Sequence, residues 1–231
     1  MRHSIRFLLA SLSFVAACNS VTTGDDGYIT FTPDDCGQAW CSLDDTIAVG
    51  TSVEVTLGVV DGFDHEVAHL TLVSDDPAVA VTFPLPAAGV SRWQVLATGP
   101  GVTRLVALEG NHYVDGTLIT TESAWRLGLE VDEGPAFVSD AFGGRTAEET
   151  WHFPAGEEVS FRVRPFDLAG RELQGKLNLT TELDAPIFDA RTGSADVPAG
   201  RLALRPMFAG DFGLSAYGPE GLVLDVAFEV R

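Results

Sequence analysis

Two halves of this 231-residue chain carry the same alternating pattern at a nearly fixed spacing, and no feature restricts its fold more. Val53, Val55, Leu57 and Asp61 recur 106 positions later as Val159, Phe161, Val163 and Asp167. Ile47-Ala48-Val49-Gly50 has its counterpart in Phe153-Pro154-Ala155-Gly156. The offset drifts to 107 at Leu70/Leu177 and to 109 at Pro77/Pro186, Val95/Leu204, Gly101/Gly210 and Leu105/Leu214. Slow drift in constant order is what duplicated domains show, because loops absorb changes of length.

Within the repeat, apolar residues alternate with polar ones. Val53, Val55, Leu57 and Val59 alternate with Glu54, Thr56 and Gly58, and Leu222, Leu224, Val226, Phe228 and Val230 with Val223, Asp225, Ala227 and Glu229. Period two is the mark of strands with one buried face. With 24 Gly and 12 Pro punctuating many short strands, it predicts an all-β fold: two tandem immunoglobulin-like Greek-key sandwiches. No segment has the periodicity of an amphipathic helix. Leu127, Leu129 and Val131, aligned with Val226, Phe228 and Val230 at a spacing of 99, are expected to close the first copy. That alignment implies a hairpin about ten residues longer around Asn111–Thr121 in the first copy. The expected division is 1–17 signal peptide, 18–27 flexible tether, 28–131 first sandwich and 132–231 second. The boundary falls near Asp132-Glu133-Gly134-Pro135, polar and broken by Gly-Pro.

The N-terminus reads as an address. Arg2, His3 and Arg6 precede an apolar run from Phe7 to Ala17, interrupted only by Ser11 and Ser13 and too short to span a bilayer. The run ends Val15-Ala16-Ala17-Cys18, which resembles the bacterial lipobox, with Val15 in place of the commoner leucine. The resemblance implies that Cys18 becomes a lipidated N-terminus, giving stable membrane anchoring. Ordinary cleavage after Ala17 is the alternative. Asn19, in place of Asp, leans toward the outer membrane of a Gram-negative envelope.

One stretch resembles a known family of modules. Leu70-Thr71-Leu72-Val73-Ser74-Asp75-Asp76-Pro77-Ala78-Val79-Ala80, followed by Trp93 to Gly101, is similar to the bacterial Ig-like domains of group 2. Those run a strand into a Ser-Asp-Pro turn, then a later strand into a Gly turn and a final hairpin. The second copy keeps the strand rhythm but lacks the Ser-Asp-Pro turn. The resemblance implies a usually non-catalytic module of surface proteins, adhesins and envelope lipoproteins.

Three sets of residues could carry chemistry. His65-Glu66-Val67-Ala68-His69 spells H-E-x-x-H, which on a helix chelates zinc through both histidines with the glutamate as base. Its flanks read as a turn (Asp61-Gly62-Phe63-Asp64) and a strand (Leu70–Val73). In extended chain the histidines stand ~13 Å apart, too far to share one zinc. The counterpart in the second copy is Arg171-Glu172-Leu173-Gln174-Gly175, a connection. A solvent-facing loop is the expected reading, and a zinc-dependent metallopeptidase using His65, Glu66 and His69 is the alternative. Cys36 and Cys41 form a C-x4-C pair, which in an exported chain favours a disulfide stapling a short loop, for roughly 2 kcal/mol. The acidic pairs Asp25-Asp26, Asp34-Asp35, Asp44-Asp45 and Asp75-Asp76 fit no EF-hand spacing. They read as solvated turns, with a weak calcium site between the domains as the alternative. Alternation is expected to bury Trp93, Trp125 and Trp151.

With 14 basic against 33 acidic side chains, formally −19, the surface repels nucleic acid and anionic headgroups. The expected protein is therefore a non-catalytic, lipid-anchored envelope protein without cofactor. Its partners would be the membrane, through the anchor, and a protein or glycan ligand of unknown identity.

Overall fold

The structure, a computed structural model, describes residues 20–35, 41–63, 66–133, 150–153, 155–156, 158–183, 188–192, 201–206 and 208–230. Among them are strands and two one-turn 3-10 helices, at Val67–His69 and Pro219–Gly221.

The first nine strands are β1 (Thr22–Thr23), β2 (Ile29–Asp35), β3 (Ile47–Ala48), β4 (Ser52–Val59), β5 (Leu70–Ser74), β6 (Ala80–Leu85), β7 (Ser91–Ala97), β8 (Gly101–Glu109) and β9 (His112–Glu122). They form two sheets, ordered β1-β2-β4-β7-β6 and β3-β9-β8-β5. The remaining strands are β10 (Arg126–Glu133), β11 (Thr150–Phe153), β12 (Val159–Phe166), β13 (Thr180–Leu183), β14 (Phe188–Thr192), β15 (Arg201–Pro206), β16 (Gly210–Tyr217) and β17 (Val223–Val230). Their sheets are ordered β10-β12-β15-β14 and β11-β17-β16-β13.

In the A-to-G lettering of immunoglobulin strands, each half pairs A-B-E-D in one sheet and A′-G-F-C in the other. Each half also has a short A′ strand parallel to its last strand, β3 on β9 and β11 on β17. The fold is all-β and immunoglobulin-like, and the same strand order is built twice.

The period-two pattern explains why these residues form sandwiches. Val53, Val55 and Leu57 of β4 are buried, together with Ile29 and Phe31 of β2 and Val95 of β7. Leu70, Leu72, Leu105, Ala107 and Ile119 of the facing sheet belong to the same core. In the C-terminal sandwich Phe161 of β12 meets Phe228 of β17 across the sheets, ring centroids 6.0 Å apart. The Ser-Asp-Pro turn is closed by its own polar groups. The Asp76 carboxylate accepts the Ala78 N–H at 2.9 Å, and the Thr103 hydroxyl accepts the Asp76 N–H at 3.0 Å.

Four expectations are corrected. The strand carrying Leu127, Leu129 and Val131 does not close the first copy: β10 pairs with β12, from Arg126↔Phe166 to Glu133↔Ser160, and opens the second sandwich. β10 and β17 alternate in the same way, and alternation does not say which sheet a strand joins. The strand equivalent to β17 is β9, joined to β8 by the tight turn at Gly110 and Asn111, so the first copy has no ten-residue hairpin insertion. The tether expected over 18–27 is ordered from Ser20 onward: Thr22 and Thr23 pair with Phe31 and Thr30, and Gly24 is buried. Trp125 is 66% exposed, because it lies just outside β10, where alternation no longer applies.

Candidate functional site

Register fixes what stands at each end of the N-terminal sandwich. Ile29 lies opposite Val59, Leu57 opposite Ser91, Leu85 opposite Arg92, and Leu70 opposite Glu109. The B–C connection (60–69), the D–E turn (86–90) and the F–G turn (110–111) therefore share one pole. β3, the start of β4, the E–F turn and the end of β9 share the other, since Ile47 and Gly101 both lie opposite Thr121. In the C-terminal sandwich the pairs Arg126↔Phe166 and Tyr217↔Val223 mark the loop pole, while Gly210↔Val230 and Phe153↔Val230 mark the base.

The H-E-x-x-H segment lies at the open loop pole. His65 is outside the described residues. Glu66 precedes the 3-10 turn Val67–His69, so residues 66–69 form an exposed connection and not an α-helix. The Glu66 carboxylate lies 3.2 Å from His69 Nδ1, both side chains exposed. Among the described residues no group of three His, Cys, Asp or Glu side chains is placed to hold a metal ion.

Cys41 is 1% exposed and its sulfur is not a free thiol. Cys18 and Cys36 lie outside the described residues, as does Trp40, so the pairing stays an expectation. Asp45 is drawn into a contact between the two sandwiches, Asp76 closes its own turn, and Asp34 accepts from the Thr56 hydroxyl.

The sequence reading missed a buried carboxylate. Asp115 of β9 is fully buried and accepts four backbone N–H groups, from Asp26 (2.9 Å), Tyr28 (2.8 Å), Ile29 (2.9 Å) and Gly116 (2.8 Å). Burial pushes its carboxyl up, but the four donors outweigh that and hold it below the usual carboxylate range. Asp25 pairs with Arg104 at 2.8 Å, and the Tyr113 hydroxyl donates to Asp26 at 2.8 Å. These contacts clamp 24–29 to the sandwich, and they explain why a Ser/Thr/Gly/Asp-rich stretch is ordered. The available signal was an aspartate interrupting the alternation of β9.

A further contact joins the two sandwiches. The B–C connection of the C-terminal sandwich docks on the base of the N-terminal one. The Ala48 N–H donates to the Gln174 carbonyl and the Gln174 N–H to the Thr46 carbonyl, both at 2.8 Å. Gln174 Nε2 donates to Asp45 at 2.5 Å. The Lys176 N–H donates to the Ser52 carbonyl at 2.7 Å, and its ammonium pairs with Glu54. Leu173, 1% exposed, packs with Ala48, Ala124 and Leu222. Gly175 (φ +129°) has no room for a Cβ, which would collide with Thr51. Arg171 pairs with Asp167 at 2.5 Å and reaches Glu122 at 3.3 Å. Lys176 is the only lysine in the chain, and it bridges the junction.

No protein-family model matches the chain, and no curated protein matches it. Among solved structures it is similar to domains 5–6 of the S-layer protein SbsC, at 16% identity and a TM-score of 0.33, over 82% of this chain and 95% of that one. It is similar to the Escherichia coli adhesin FdeC at 14% identity and a TM-score of 0.31, over 80% of this chain and 60% of that one. For Yersinia pseudotuberculosis InvD the values are 14% and 0.30, over 82% of this chain and 55% of that one. Likenesses this distant carry no conclusion about activity or ligand.

Proposed function

We propose that this is a non-catalytic protein of the cell envelope, anchored through lipid on Cys18, that presents two immunoglobulin-like modules for structural, adhesive or ligand-binding use. The observation that carries the reading is the duplicated strand order. It builds two sandwiches, and the loops at the pole of a sandwich are where such modules bind their ligands. The basic, apolar, small-residue sequence before Cys18 supplies the address. The outer membrane of a Gram-negative cell is the favoured location, with Asn19 as the reason. A protein or glycan is the favoured ligand class, and the acidic surface disfavours nucleic acid. Cys36 and Cys41 form the disulfide of the mature protein on this reading.

Membrane fractionation of the wild type and Cys18→Ser tests it. The wild type partitions into detergent, and the variant is released or left unprocessed; unchanged partitioning of the variant overturns the anchor. The zinc peptidase is judged on the same preparation. Stoichiometric zinc, lost together with peptide hydrolysis in His69→Ala, would replace this reading with that one.

A further inference from the structure

The two outer faces of the N-terminal sandwich differ in kind. On the β1-β2-β4-β7-β6 sheet, β4 and β7 turn Glu54, Thr56, Arg92 and Gln94 outward. These are tied together by the Arg92–Glu54 and Lys176–Glu54 pairs and by Gln94 donating to the Ser52 hydroxyl at 3.0 Å. On the β3-β9-β8-β5 sheet, Leu72, Leu105 and Ile119 point to the core, so their neighbours along β5, β8 and β9 point out. Those neighbours are largely apolar. Val73 lies opposite Val106, Leu108 opposite Tyr113, and Leu118 opposite Arg104, with Val102 two residues before it. Val73, Tyr113, Leu118 and Val102 are 38%, 48%, 54% and 59% exposed.

The charge at the centre of this face is already answered. The Arg104 guanidinium reaches Asp25 at 2.8 Å. Its stem runs over Gly116, where a Cβ would stand 3.0 Å from Arg104 Cδ. The nearby acids lie at the margin: Asp75 and Glu109 at the ends of β5 and β8, and Asp26 holding the Tyr113 hydroxyl at 2.8 Å. The face is therefore apolar and locally neutral on a chain whose formal charge is −19.

We infer that this face of β5, β8 and β9 packs against the same face of a second copy of the chain. Charge chooses the occupant. Two such acidic molecules repel wherever carboxylates are brought together, and like charges set face to face are costly. Here the surfaces that meet carry only a paired arginine, so self-association buries no repulsion. An apolar, charge-poor centre with a polar rim is also the composition of an interface core. A partner selected by charge would find none to read. The contact is isologous, each copy offering the same patch, so assembly closes at two. The facing sheets stack about 10 Å apart, as they do inside a sandwich. The contact uses neither 42–54 nor 171–177, so the junction within each chain is kept. Because the rest of the surface is acidic, the dimer tightens as salt screens it, the opposite of a contact held by ion pairs.

Analytical ultracentrifugation tests this on the chain from position 18 onward, carrying Cys18→Ser and keeping every described residue. Buffer is detergent-free, and concentration runs from ~1 μM to ~1 mM, the range of weak to moderate contacts. Mass should rise from one chain to two and stop, with tighter association at higher salt. Leu118→Glu and Val73→Glu each place a carboxylate in the contact, and each should sediment as a single chain. Phe83, 47% exposed on the other sheet, is the control: Phe83→Glu should dimerise as the parent does. Circular dichroism establishes that each variant is folded. A single-chain mass for the parent throughout, a mass that climbs beyond two, or a dimer that survives in both folded Leu118→Glu and Val73→Glu would each overturn the inference. So would a parent that stays single and floats with neutral phosphatidylcholine vesicles, which would assign the face to lipid.

Discussion

Asp115 holds the entry of the chain to the sandwich, and its effect on stability can be read with a sign. Its carboxylate receives four backbone N–H groups, and those of Ile29 and Gly116 would otherwise be buried without partners. Asp115→Ala should therefore cost about 3 kcal/mol or more, at 1–3 kcal/mol for each buried donor left unsatisfied. A chain of this length then melts roughly 6 °C lower or more. Because its folded value lies below that of the unfolded chain, the carboxylate's contribution is fully present above about pH 5. It is lost as pH falls through the folded value. Asp115→Asn should flatten the dependence of the unfolding free energy on pH below about 5, measured by urea titration at several pH values. A mutant that loses stability in parallel with the wild type across that range would show that other carboxylates carry the acid sensitivity.

At the scale of elements, alternation located the strands and said little about their partners. Val53, Val55, Leu57, Phe228 and Val230 are buried as their period predicts, because the pleat turns every second side chain to one face. The same pattern in Leu127–Val131 does not say which sandwich the strand joins, since pairing is decided by backbone hydrogen bonds with β12 that leave no trace in hydropathy. The candidate site was less legible. The H-E-x-x-H letters were visible, and their placement in a connection followed from the repeat, yet the junction built from Leu173, Gln174 and Lys176 was not foreseen. Its contacts run between backbone groups more than 120 positions apart. The corrected place of β10 has a direct consequence. Residues 132–231 alone would leave β12 without its neighbour and with a row of unpaired N–H and C=O groups. Residues 123–231, which retain β10, should give a β-type circular dichroism spectrum and a cooperative melt, whereas 132–231 should not. Equal behaviour of the two fragments would mean that β10 is dispensable to the second sandwich.

For the whole molecule, the junction sets how the two sandwiches move. Ser123 to Trp125 is the covalent link, three residues between β9 and β10. The contact of 171–177 with 42–54 supplies a second, non-covalent one, with Leu173 buried and the charge of Lys176 answered by Glu54. Two connections side by side remove the freedom that a single linker would leave. The N-terminal segment leaves at the same level: the Ser20 N–H donates to the Cys41 carbonyl at 2.9 Å, and Ser42 N–H lies 3.4 Å from Gln174 Oε1. On the reading that Cys18 carries lipid, the attachment stands two positions before Ser20 in the chain. Such a body should unfold as one unit. Urea unfolding of the wild type should then give a single transition by fluorescence and by far-UV circular dichroism, with coincident midpoints. Leu173→Ala combined with Lys176→Ala removes the buried aliphatic contact, at about 2–5 kcal/mol, together with the ion pair across the junction. With the coupling gone, each sandwich should unfold at its own midpoint, and each transition should carry about half the wild-type m-value, because m follows the surface exposed. A double variant that keeps one transition with an unchanged m-value would mean that the sandwiches are coupled by something other than this junction. Two transitions in the wild type would mean that they were never coupled at all.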